Sequence, residues 1–276
     1  MSLIVLNSTN VTNSNNNRYT ITFAGSKNFD GLEIALVNAS LFYSNFNFTS
    51  ALQNNYFSYI WVDSTVNVVS IPDSYQDASS LNTLLQNVMV VNNHYLIDAN
   101  GNNVYYLQIQ ENPNLYAIQL NSLVLPASLG TLTYPAVHSW TVSVKTPQFV
   151  IPNTVITNNI GITAQTFPVS LSGTANSSLT SSFTPQITAV NSIFLCSDVA
   201  DNAMSGMSNE VVYNINGSSV AFGNMISVSP NFSTWIKCKN MQSNKLTVYL
   251  IDQNYQPIIF RDNSMTFTIA VRKAKK

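Results

Sequence analysis

The 276 residues include 45% hydrophobic and 11% aromatic side chains but only 8% charged ones, against about 25% charged in an ordinary soluble domain. That much core material excludes a disordered chain, and a net charge of −1 excludes a body steered as a whole to nucleic acid or anionic membrane. Asn, Ser, Thr and Gln supply the missing surface polarity, and such neutral groups suit contact with further copies of the same chain.

The opening run Met1-Ser2-Leu3-Ile4-Val5-Leu6 turns polar at Asn7 without a charged region or a long apolar core. It predicts neither a signal peptide nor an anchor, and a protein made and kept inside a cell. From Tyr19, the residues Tyr19, Ile21 and Phe23 alternate with Thr20 and Thr22, the period of a half-buried strand. Leu32 to Tyr43 is apolar nearly throughout and reads as a more buried strand. Tyr56–Val62 and Val66–Ile71 are the next strand candidates. Leu81, Leu84, Leu85, Val88 and Met89 then recur at helical spacing, which predicts a helix over about Asp77 to Val91 with Ser79 or Ser80 as N-cap.

Val104–Ile109 and Tyr116–Leu123 read as strands, and Asp98-Ala-Asn-Gly101 before them as the turn of a hairpin rather than a calcium loop. Between Pro126 and Pro185, four further prolines and the small-residue run Ser170–Ser182 predict extended loop with short edge pieces. This stretch is expected to be an insertion inside one domain covering 1–276. Ser192–Cys196, Val211–Ile215, Ile226–Val228, the alternation at Leu246, Val248 and Leu250, a short Ile258–Phe260 strand and the alternation from Met265 to Val271 complete the series. Many short strands with turn residues between them predict an all-β sandwich or barrel carrying one helix.

Residues able to do chemistry are sparse. His94 and His138 are the two histidines, expected as a loop residue after the helix and a packed strand residue. Neither lies in a hydrolase or metal-binding signature. Three glutamates, Glu33, Glu111 and Glu210, are not paired in sequence with any aspartate, so a glycosidase pair is not predicted. Asp252, Arg261 and Asp262 read as a turn held by an exposed salt bridge. Cys196 and Cys238 lie far apart outside any CxxC spacing and are expected as packed thiols in a reducing compartment. Chance accounts for the sequons at Asn7, Asn10, Asn38, Asn47, Asn176, Asn216 and Asn231 in so Asn-, Ser- and Thr-rich a chain. No catalytic, metal or cofactor-binding residue is predicted, and no cofactor. The site residues that do emerge are Arg272, Lys273, Lys275 and Lys276, a basic tail that predicts contact with packaged nucleic acid or an inner membrane leaflet.

A resemblance adds to this. Ser74-Tyr75, Leu81-Asn82-Thr83-Leu84-Leu85-Gln86, Asn93-His94-Tyr95-Leu96-Ile97-Asp98, Asn100-Gly101-Asn102 and Tyr105-Tyr106-Leu107 follow in an order similar to a known family. The series continues through Tyr116-Ala117-Ile118-Gln119-Leu120-Asn121, Thr146-Pro147-Gln148, Thr184-Pro185-Gln186-Ile187, Leu195-Cys196-Ser197, Val248-Tyr249-Leu250-Ile251-Asp252-Gln253 and Gln256-Pro257. Taken together these runs resemble the minor capsid (penton) proteins of virophages and polinton-like viruses. The resemblance implies a single jelly roll forming homopentamers at icosahedral vertices, among trimers of a double jelly-roll major capsid protein. It also implies a virion location, with assembly in the host cytoplasm or a virus factory. Two jelly rolls would be cramped in 276 residues, which argues against the major coat protein itself. Another jelly-roll capsid role and a lectin-like or receptor-binding module stacking sugars on Trp61, Trp140 or Trp235 are the alternatives, and a hydrolase would need clustered acids.

Overall fold

Alternating apolar and polar residues dominate the computed structural model, which describes residues 1–187, 190–202, 210–216 and 220–274. The chain opens with strands β1 (Ser2–Leu6), β2 (Arg18–Asn28), β3 (Leu32–Phe42), β4 (Tyr56–Ile60) and β5 (Val66–Ser70), followed by helix α1 (Ala78–Val91). Then come β6 (Leu96–Ile97), β7 (Asn103–Val104), β8 (Leu107–Asn112), β9 (Ala117–Ser122), β10 (Gln148–Ile151), helix α2 (Ile156–Ile160), β11 (Gln165–Phe167) and β12 (Ser177–Thr180). Last are β13 (Ile193–Ser197), β14 (Val211–Ile215), β15 (Met225–Val228), β16 (Ile236–Lys237), β17 (Gln242–Ile251) and β18 (Thr266–Lys273). They build two units, Met1–Phe46 with Val190–Lys276, and Asn47–Ala189.

In the first unit one sheet runs β1-β18-β3-β15, with β16 also pairing β3, and the other runs β14-β13-β17-β2. The chain crosses repeatedly from one sheet to the other, so that early and late strands interleave in each, the double Greek-key order of a jelly roll. The fold is therefore an all-β jelly-roll sandwich. Its core is filled by the inward residues of both sheets, among them Leu6, Tyr19, Ile34, Leu41, Leu246, Val248, Leu250, Phe267 and Ile269. Tyr19 meets Phe267 edge-on at 5.3 Å between centroids. Burying each large apolar side chain contributes about 1.5–3 kcal/mol, so the alternation read from the sequence is also where the stability lies.

The apolar run in β3 has a local cause. Leu36 pairs Ile269 and Asn38 pairs Thr268, so Val37 is an extra residue in β3. This bulge shifts the phase: Ile34 and Leu36 face the core before it, Ala39 and Leu41 after it, and Val37 turns outward. Two half-buried phases joined by a bulge look in sequence like one fully buried strand. Ile258–Phe260, expected as a strand, forms only single bridges, Asn45 with Phe260 and Ile251 with Pro257. Pro257 has no N–H to start a ladder, although Ile258 and Phe260 are still buried in the core.

The second unit leaves the jelly roll between β3 and β13 and has a core of its own. Its sheets run β11-β10-β4-β5 and β12-β9-β8, with the small hairpin β6-β7. Trp61, Tyr59, Phe149, Leu81, Leu85 and Met89 fill its centre. The excursion thus starts at Asn47, well before the loop-rich stretch expected at about 126–185, and that stretch itself supplies β10, α2, β11 and β12. Helix α1 has the expected span, but its N-cap is Asp77, whose carboxylate accepts from the Ser80 amide at 2.7 Å. Ser79 and Ser80 instead lie in the first turn. Ala78, Leu81, Leu85 and Met89 form its buried stripe. The predicted Val104–Ile109 strand is two strands, because β7 turns back on β6 while β8 pairs β9.

Candidate functional site

Arg272 and Lys273 belong to β18 rather than to a free tail. Arg272 sits opposite Glu33 of β3 in the register. Its guanidinium donates to the Glu33 carboxylate at 3.0 Å and lies 3.7 Å from the centroid of the Trp235 ring. A cation stacked on indole and paired with a carboxylate is committed within its own sheet. Lys273 is exposed, whereas Lys275 and Lys276 lie outside the described residues.

The other candidates separate by burial. His94 lies in the loop after α1, as expected, but is buried in the core: Nδ1 lies 2.9 Å from the Tyr59 hydroxyl and the ring stacks on Trp61 at 4.8 Å. Burial lowers its pKa to about 4, with Asp63 opposing that shift. His138 is exposed in a loop, stacked on Tyr134 at 4.0 Å, and is not in a strand. Burial pushes the Cys196 thiol up to about 12 and Cys238 to about 11, with the charges of Glu210 and Glu33 adding to it, and both thiols are free. Asp98 closes the β6–β7 hairpin as expected, accepting from the Asn100 and Asn102 amides, and the Asn102 amide leads in holding its carboxyl below the usual range. No salt bridge joins Asp252, Arg261 and Asp262 among the described residues. Asp252 instead accepts the Asn254 and Gln256 amides at 2.8 Å, and Asp262 the Ser264 amide at 2.7 Å, because a turn exposes backbone donors closer at hand than any guanidinium. Glu210 is paired with Lys239 and bonded by the Tyr249 hydroxyl. Among the described residues no group of three or more His, Cys, Asp or Glu is placed to hold a metal ion. No described helix is long and apolar enough to cross a membrane.

None of the three tryptophans offers an open sugar platform: Trp61 and Trp140 are buried, and Trp235 is half-buried beneath Arg272. Two surfaces stand out instead. One is β1, an end strand of its sheet, whose Leu3 and Val5 are 57% and 51% exposed while Ile4 and Leu6 pack inward. The other is a cleft of about 470 Å³ in the second unit, lined by Tyr75, Asp77, Glu111, Asn112, Pro113 and Tyr116 among others. It escapes a sequence search because its residues come from the segment leading into α1, from the β8–β9 hairpin and from Pro185 and Ile187, each more than thirty positions from the next. The one local signal is Pro113 and Asn114 at the hairpin turn.

No family model matches the sequence, and no curated protein does. Among solved structures the chain is similar to the mavirus penton protein, with 10% identity, 98% of each chain covered and a TM-score of 0.39. It is also similar to a chain of the Sputnik virophage structure determined by cryo-EM, with 13% identity over 93% of this chain and 92% of that one, and a TM-score of 0.35. Its structural neighbours thus include proteins of two virophages, aligned along nearly the whole chain at low identity.

Proposed function

We propose that the chain is a structural, non-enzymatic virion protein: a minor capsid (penton) subunit that forms homopentamers at icosahedral vertices and contacts a double jelly-roll major capsid protein. The observation that supports it is the strand order of the first unit, β1-β18-β3-β15 against β14-β13-β17-β2. This closes a rigid sandwich but leaves end strands at the sheet margins. An end strand such as β1, apolar on its outward side, is a template for joining another subunit. A surface poor in charge lowers the desolvation cost of burying on the order of 2,000 Å² or more in an obligate assembly. On this reading residues 1–276 act as one capsid domain elaborated by the second unit. The basic end, with Arg272 and Lys273 on β18 and Lys275 and Lys276 following in sequence, faces packaged DNA or an inner membrane. The protein then resides in the virion after assembly in the host cytoplasm or a virus factory.

The decisive measurement is the native mass of the purified full chain. Five copies are expected, and a monomer at every concentration tested would overturn the vertex role. A trimer would favour another jelly-roll capsid position.

A further inference from the structure

The geometry points to the cleft of the second unit as a binding site for a neutral, hydroxyl-rich sugar chain. Its volume, about 470 Å³, lies inside the roughly 300–1,000 Å³ of small-molecule sites. One wall is the β8–β9 hairpin loop, in which Asn112 pairs Ala117 across residues 113–116. The carbonyls of Asn112 and Pro113 accept the amides of Leu115 and Tyr116 at 3.2 and 3.4 Å, so the turn is internally braced. It holds Tyr116 at φ +50° with the side chain 76% exposed. A large aromatic residue in left-handed backbone is costly, and here no burial of the ring offsets that cost. The turn therefore presents a nearly bare aromatic face beside Pro113, which matches the apolar C–H face of a pyranose ring.

Hydrogen-bond acceptors border this face. Asp77 is fixed in direction because one carboxylate oxygen caps α1 through the Ser80 amide, which leaves its second oxygen to accept from a ligand. Asn112 donates its side-chain amide to Gln119 at 3.2 Å, so its carbonyl oxygen remains the group to offer. Glu111 is exposed on the same cleft. Two carboxylates and an amide carbonyl ask for donors, and sugar hydroxyls donate to carboxylates through charge-assisted hydrogen bonds. Among the described residues no lysine, arginine or histidine lines the cleft, so there a sialylated or sulfated glycan would meet two like charges without a counter-ion. The helix N-terminus partly compensates the Asp77 charge, which makes the rim a set of acceptors for a neutral ligand rather than a trap for a cation. This site stands whether or not the chain occupies a vertex.

The test is an array of immobilised oligosaccharides with neutral arms (galactose-, mannose-, N-acetylglucosamine- and fucose-terminated) and acidic arms (sialylated, sulfated), probed with the labelled full chain. Binding to at least one neutral glycan is expected. Tyr116→Gly removes the ring while relaxing the backbone, so it should keep the fold by circular dichroism and weaken binding about tenfold, the scale of one lost aromatic contact. Tyr116→Phe should retain binding, and Glu111→Gln should weaken it. Binding to no neutral glycan, to acidic ones alone, or undiminished in Tyr116→Gly overturns the assignment.

Discussion

Between Tyr59 and Trp61, His94 occupies a place where a proton is costly: burial disfavours the imidazolium, and the Asp63 charge only partly opposes it. Its folded pKa of about 4 lies below the 6.5 of the unfolded chain. Above pH 6.5 the ring is neutral in both states and its packing contributes fully. Below that the unfolded state binds the proton first, so stability falls as the pH drops towards 4, by on the order of 3 kcal/mol in total. Urea midpoints between pH 7 and pH 4 should therefore fall more steeply in the wild type than in His94→Gln, and parallel curves would refute this account. Nothing in Asn93-His94-Tyr95 announced that environment, because the partners Tyr59 and Trp61 come from or follow β4, over thirty residues away. Likewise Arg272 read as part of a free tail until the register set it against Glu33.

Among the elements, those with a clean period were legible. β2, β17 and β18 follow their alternation, and α1 its helical stripe. Legibility failed where an element's geometry depends on its neighbour: the bulge at Val37 is visible only in the pairing with β18, and β7 parts from β8 because each finds a different partner. On the proposed function, β1 is the strand through which copies of the chain would join. Leu3 and Val5 point away from the core, so Leu3→Lys with Val5→Lys should change stability by no more than about 1 kcal/mol, as surface substitutions do. The pair should nonetheless abolish assembly, since edge lysines block strand-to-strand docking. Melting temperature and native mass measured side by side decide it; an intact oligomer in the doubly substituted chain would show that β1 is not the contact.

For the whole molecule, the uneven charge is the remaining lever. Lys273→Gln, Lys275→Gln and Lys276→Gln together leave the Arg272–Glu33 pair in place, so folding should persist while the affinity for duplex DNA and its salt dependence both fall. Mobility shifts at 50 and 200 mM salt test this, and identical shifts for both proteins would leave the basic end as a solubilising one. Composition and period by themselves determined that the chain is all-β with one short helix over about 77–91, rich in core and poor in charge, because alternation and stripe are properties of consecutive residues. Only the tertiary structure decided that strands 150 residues and more apart interleave into a jelly roll, that the excursion after β3 has its own core, and that Asp77, Glu111 and Tyr116 share a cleft. Those are pairings between distant segments, selected by the joint burial of their apolar faces, and no local window of sequence contains both partners.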